Sequence, residues 1–307
     1  MDNIATISLS RPVAQIADDL GRSFAEYGFA IVRDHGIDQD LIDRAETMAR
    51  RFFDLPLETK RAYHLKGGGG ARGYTPFGTE IAKDATVHDL KEFWHVGRSL
   101  PDGHPLSDVM PPNLWPAELP EFRETFEELF SAFEATGARI LSAIALHLGL
   151  KEDWFEPTVK EGNSVMRLLH YPPLPADAPE GAIRAAAHGD INTITLLLGA
   201  EEAGLELLNK QGEWMPVSPP PGALAVNVGD MLDRLTNGKL RSTTHRVVNP
   251  SGEAARRSRY SMPFFLHFRP DFLIEPLPQC VDSGETPEPP ILAHDYLMQR
   301  LREIGLA

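Results

Sequence analysis

From Val165 to His267 the sequence is cut into short β-prone runs by turn-forming residues, and no other feature limits the fold so tightly. The runs are residues 165–171, 188–198, 205–208, 214–217, 223–228, 243–248 and 259–267. Between them stand Pro172-Pro173, Pro219-Pro220-Pro221-Gly222, Asn237-Gly238 and Pro250-Ser251-Gly252. Proline fixes φ and glycine permits positive φ, so these clusters turn the chain. Many short strands at this spacing predict a mainly β chain with flanking helices around a double-stranded β-helix, or jelly roll.

The rest of the chain reads as helical. Pro12 stands at a helix start, and Val13, Ile16, Ala17, Leu20 and Phe24 follow at helical period. Residues 29–32 read as a short strand and 41–53 as a second amphipathic helix. The longest helix is expected over residues 120–150, where Phe122, Phe126, Leu129, Phe130 and Phe133 form a stripe that Ile140, Leu141, Ile144 and Leu148 continue. Gly137 is expected to loosen its middle. Such a helix would brace a sheet from outside, and its His147 reads as a packing or surface residue. Residues 67–70 are four glycines, a loop that no Gly-Lys-Ser/Thr follows, which excludes a phosphate loop. Residues 293–304 read as a closing helix. The pattern divides the chain at 1–120, a helix and strand region packing on the barrel and carrying substrate-side elements, and 121–307, the bracing helix, jelly-roll core and C-terminal helix.

Composition narrows the function classes. The 307 residues carry a net charge of −14, which argues against nucleic acid or an anionic membrane as partner. The single cysteine, Cys280, excludes an internal disulfide and a cysteine-based zinc site. The N-terminus shows no basic and apolar signal pattern, and no apolar run nears the length of a membrane span. The expectation is a cytoplasmic protein, monomeric for lack of any coiled-coil pattern, acting on a small molecule.

Chemistry concentrates in the β-rich half. In His188-Gly189-Asp190 the two side chains lie two apart on an expected strand and so face one way. His245, in another β-prone run, supplies a third donor. Two imidazoles and one carboxylate make a facial set that suits ferrous iron and leaves positions open. Arg259 and Ser261 share a face of an apolar run and form a fork for a carboxylate.

With these residues in view, the chain resembles the iron(II)- and 2-oxoglutarate-dependent dioxygenases, in particular the branch that includes isopenicillin N synthase and plant flavonoid and gibberellin oxygenases. The resemblance runs through residues 24–36, Phe52-Phe53-Asp54-Leu55-Pro56, Arg72-Gly73-Tyr74, Asp89-Leu90-Lys91-Glu92 and Tyr171-Pro172-Pro173. It implies Fe(II) on His188, Asp190 and His245. It implies 2-oxoglutarate anchored by Arg259, Ser261 and Tyr171, and O2 as the oxidant, with succinate and CO2 as co-products. It makes Arg72, Tyr74 and Phe77 candidate substrate contacts, puts Asn227 and Leu232 near the barrel wall, and leaves Phe264 for packing. Leu169 and His170 stand where the family pattern has Asn and Tyr, which removes one polar contact from the co-substrate end. Two alternatives stay open at this level: an iron oxidase of the same fold that uses no 2-oxoglutarate, and a barrel that binds a ligand without turning it over.

Overall fold

The structure is a computed structural model, described over residues 4–65, 71–80, 87–175, 178–179, 181–198 and 204–303. The glycine run 67–70 and residue 304 lie outside these. The chain opens with β1 (Thr6–Ser8), α1 (Val13–Tyr27), β2 (Phe29–Arg33), α2 (Gln39–Phe53), α3 (Leu57–Arg61), β3 (Gly73–Thr75) and β4 (Glu92–Gly97). The long α4 (Phe122–His147) and short α5 (Glu156–Val159) follow. Next come β5 (Val165–Tyr171), β6 (Ala185–His188), β7 (Ile194–Leu198), β8 (Leu205–Leu208), β9 (Trp214–Pro216), β10 (Leu224–Val228), α6 (Asp230–Leu235), β11 (His245–Val247) and β12 (Arg259–Leu266). The chain continues through β13 (Leu273–Ile274) and β14 (Ile291–Leu292) to α7 (Ala293–Glu303).

The strands form two facing sheets and a small hairpin. The large sheet runs β1-β2-β10-β7-β12-β5-β4-β3, and the smaller runs β6-β11-β8-β9. Phe29 and Ala225 of the large sheet pack against Leu205, Leu207 and Val247 of the smaller, so an apolar layer lies between the two. This is the jelly-roll sandwich that the turn spacing predicts. The N-terminal strands do not form a layer of their own. β1 and β2 extend one edge of the large sheet, and β4 and β3 the other.

Helices cover the outer face of the large sheet. α1 runs from Pro12 to Gly28, whose φ of 68° ends the helix while its N–H bonds Phe24 O. On β12, Phe264 turns outward and stacks on Phe133 of α4 at 5.1 Å, with Phe130 edge-on at 4.9 Å. Burying such a ring contributes roughly 2–3 kcal/mol. α4 is unbroken at Gly137: a Cβ there would meet Leu266 Cδ1 at 2.4 Å, so the glycine serves close approach to β12. Among the described residues, α4 is long and apolar enough to suit a membrane span, contrary to the expectation of no such run. Here its phenylalanines are buried under the sheet. His147 at its C-terminal end packs over Gly21 of α1.

One expected strand needs correction. Residues 188–198 are two strands in different sheets, β6 and β7, and residues 189–193 cross between them. The crossing is held by polar contacts rather than by a ladder. Asp190 O accepts from Asp230 N–H at 2.7 Å and Thr193 O from Gly229 N–H at 3.0 Å. The Asn192 amide donates to Ile194 O at 2.8 Å. A β-branched run looks the same whether it stays in one sheet or changes sheet.

Candidate active site

The crossing brings three ligand-type side chains together. His188 ends β6 and His245 begins β11, and the two are direct partners across the antiparallel pair. Asp190 turns back toward them from the crossing. Its Oδ1 lies 3.9 Å from His188 Nε2 and 3.8 Å from His245 Nε2, and the three ligand atoms fall within 4.8 Å of one another. Strand alternation does not account for this pairing, because Asp190 is off the strand.

Hydrogen bonds orient each donor. His188 Nδ1 donates to Ala186 O at 2.7 Å and His245 Nδ1 to Thr243 O at 3.1 Å. A carbonyl only accepts, so both rings carry a proton on Nδ1, and Nε2 is the nitrogen through which each could bind a metal. Asp190 Oδ2 accepts from Thr195 Oγ1 at 2.5 Å and Asn227 Nδ2 at 2.8 Å, which leaves Oδ1 facing the imidazoles. Burial pushes the Asp190 carboxyl up, but His245, His188 and those two hydrogen bonds outweigh it and hold it below the usual range. Burial, reinforced by His245, lowers His188 to about 4, so its ring is neutral near pH 7. Neutral imidazole and ionised carboxylate are the forms that bind a divalent metal.

Across the inner face stands the second half of the site. Arg259 and Ser261 of β12 are buried, and Arg259 pairs with Tyr171 of β5, its guanidinium 5.0 Å from the ring centre. Nε and Nη1 of Arg259 have no hydrogen-bond partner among the described residues. Buried cations without partners are costly, and the bare N–H groups leave this guanidinium able to take up a carboxylate. Leu169 pairs with Ser261 and packs with Phe93 and Tyr171, so an apolar wall occupies the place of the family's Asn.

Sequence reasoning missed several neighbours. Lys91 is buried between Glu80 at 2.6 Å and Asp89 at 2.7 Å. Burial would lower its ammonium, but these carboxylates outweigh that and hold it above the usual range. Asp89 Oδ1 also accepts Ala186 N–H at 3.0 Å, two residues before His188. Thr195 and Asn227 carry no spacing signal at all; only the fold reveals that they hold Asp190.

The candidate substrate contacts scatter. Arg72 lays its guanidinium over Gly97, where a Cβ would meet it at 2.0 Å, and its Nε and Nη2 lack a partner among the described residues. Gly97 heads the row of paired residues Gly97, Val165, Phe265 and Thr195 that leads to Asp190. Tyr74 points the other way: it is buried in the helix-backed core and bonds Glu92. Phe77 is exposed and edge-on to His88. Leu232 is fully buried in the helix-backed core, among residues of the large sheet.

Comparison with known proteins now decides the family. Residues 4–118 match the non-haem dioxygenase N-terminal family, described from morphine synthesis, and residues 162–268 match the 2OG-Fe(II) oxygenase superfamily. The chain belongs to the 2OG-Fe(II) oxygenases. It is 39% identical to a 2-oxoglutarate-Fe(II) type oxidoreductase of Emericella nidulans over 90% of this chain and 81% of that one. A crystal structure of a 2OG-Fe(II) oxygenase family protein from Caulobacter crescentus superimposes with a TM-score of 0.91 at 52% identity, covering 99% of this chain and all of that one. A full-length Neurospora crassa protein solved in complex with alpha-KG and thymine matches with a TM-score of 0.87 at 29% identity, over 97% and 96% of the two chains. This 2OG-Fe(II) oxygenase is thus an Fe(II)- and 2-oxoglutarate-dependent dioxygenase, with O2 as co-substrate and succinate and CO2 as co-products. The 2-oxoglutarate-independent oxidase and the non-catalytic barrel both fall away.

Proposed function

We propose that this dioxygenase hydroxylates a small organic molecule, with Fe(II) on His188, Asp190 and His245 and 2-oxoglutarate anchored through its distal carboxylate by Arg259, Ser261 and Tyr171. The observation that carries this reading is the pair of bare nitrogens on buried Arg259, on the inner face that also holds the three-ligand cluster. Bound iron supplies the redox chemistry that couples O2 and 2-oxoglutarate to substrate oxidation. The protein's own share is orientation. Thr195 and Asn227 fix Asp190, the two backbone carbonyls fix the imidazoles, and Leu169 with Phe93 keeps water from the co-substrate end. Arg72, with two unpaired nitrogens on the row leading to Asp190, is the favoured substrate contact of the three candidates. Tyr74 and Phe77 have no such placement.

Anaerobic addition of Fe(II) and 2-oxoglutarate should give a visible metal-to-ligand charge-transfer band, and turnover under 18O2 should put one labelled oxygen in succinate and one in the product. A product without label would replace hydroxylation by desaturation or ring closure. Absence of the band would remove the site assignment.

A further inference from the structure

Three histidines of this chain, of which His245 and His267 are buried and His188 half-buried, share one local device. His188, His245 and His267 each donate Nδ1–H to the backbone carbonyl two residues upstream: Ala186 at 2.7 Å, Thr243 at 3.1 Å and Phe265 at 3.1 Å. Each ring therefore turns its Nε2 away from the backbone. For His188 and His245 that nitrogen faces Asp190. His267 stands outside this ligand cluster, and the residue before it is tied to the crossing that carries Asp190: Leu266 O accepts from Thr193 N–H, three residues from Asp190.

Its position is set by the end of β12. Leu266 faces α4 and Phe268 stacks on Phe155 within the helix-backed core, so His267 between them turns to the inner face, with Phe265 one pleat behind. The backbone there is anchored: Ser164 Oγ accepts His267 N–H at 3.2 Å, and Leu266 O accepts Thr193 N–H at 2.9 Å. Nε2 has no hydrogen-bond partner among the described residues. Beside Phe265, Arg167 bridges that ring and Phe93, its guanidinium 5.5 Å and 4.1 Å from the two ring centres. The inner face beside His267 therefore carries two aromatic rings with a guanidinium between them, a surface that a planar molecule can cover.

We propose that His267 Nε2 is the hydrogen-bond acceptor that selects the substrate, favouring flat molecules with an N–H or O–H beside the carbon to be oxidised. The inference rests on the dioxygenase reading and adds the substrate's donor group to it. Burial lowers the imidazole to about 4, so near pH 7 the ring is neutral and its Nε2 accepts. A site built around one buried acceptor rejects a molecule that leaves it unpaired, because the lost hydrogen bond is not replaced by water.

The test uses the full chain loaded with Zn(II) and 2-oxoglutarate and labelled with 15N-histidine, the His267 signals being assigned by their loss in His267→Leu. Three matched pairs are titrated: 2-pyridone and N-methyl-2-pyridone, uracil and 1,3-dimethyluracil, phenol and anisole. The expected result is a shift of the His267 Nε2 resonance with parent compounds and about tenfold weaker binding of the methylated partners. His267→Leu should remove the preference, and His267→Gln, which keeps an acceptor, should retain part of it. If His267→Leu does not fold, His267→Gln serves the assignment as well. Equal binding within every pair, a preference that survives in His267→Leu, or no shift with any parent would overturn the proposal. A normal Fe(II)–2-oxoglutarate charge-transfer band alongside such a result would overturn only the role of His267 and leave the dioxygenase standing.

Discussion

The two faces of the strands β4, β5 and β12 carry polar clusters of similar burial and opposite completeness. On the outer face, Glu92 takes Lys60 Nζ at 3.0 Å, His170 Nδ1 at 2.7 Å and the Tyr74 hydroxyl. Lys60 also donates to Phe53 O at 2.9 Å, and His170 Nε2 meets Ser258 Oγ at 3.0 Å. On the inner face, Arg259 keeps two buried nitrogens without partners. A completed cluster holds the protein together; an incomplete one reserves room for a ligand. The contrast also explains why Tyr74 misled the sequence reading: it lies beside Arg72 in the chain but belongs to the completed cluster.

Mutation of the two faces should give opposite signatures. The largest effect belongs to Asp190→Ala, which should weaken iron binding by at least ~100-fold, read by metal analysis after anaerobic loading. Full iron content in that variant would dissolve the inner cluster as a metal site. On the outer face, Glu92→Gln strands the Lys60 ammonium and should cost about 3–5 kcal/mol in urea unfolding, with the charge-transfer band of the folded fraction intact. Arg259→Gln should do the reverse. Stability of the ligand-free protein should hold or rise, because a bare buried charge is gone, while 2-oxoglutarate binding weakens by about 30-fold or more. A large stability loss here would erase the distinction between the faces.

Acid should single out the inner face as well. Burial lowers His267 to about 4, below the ordinary 6.5 of the unfolded chain. The unfolded state then binds the proton first, so the stability contributed by a neutral ring is present above pH 6.5 and is lost as pH falls from 6.5 toward 4. His267→Gln should flatten that limb of the ligand-free stability profile by up to about 3 kcal/mol, and an unchanged profile would mean the ring is solvated. The smallest effect is expected at Gly137→Ala. Its methyl would overlap Leu266 and cost about 1–3 kcal/mol, offset in part by about 1 kcal/mol of helix propensity.

Much of this was legible in the chain because local chemistry carried it. Turn residues announced the sandwich, helical stripes announced α1, α2 and α4, and two histidines, an aspartate and an arginine announced their donor types. The change of sheet at residues 189–193 was not legible, since periodicity records which way a side chain points and not which sheet receives it. Nor were Thr195 and the hold of Asn227 on Asp190: the resemblance put Asn227 near the barrel wall, but only folding places the two side chains on the Asp190 carboxylate.

The large sheet interleaves the chain's beginning with its end: Ile31 on β2 pairs with Ala225 on β10, and Trp94 on β4 pairs with Leu168 on β5. On a ribosome the first two strands must wait until almost the whole polypeptide has emerged. Such distant pairings slow assembly and leave unpaired strand edges exposed meanwhile. A nascent chain stalled before residue 224 would hold β2 with no β10 to receive it, so this oxygenase is built to acquire its barrel late and all at once.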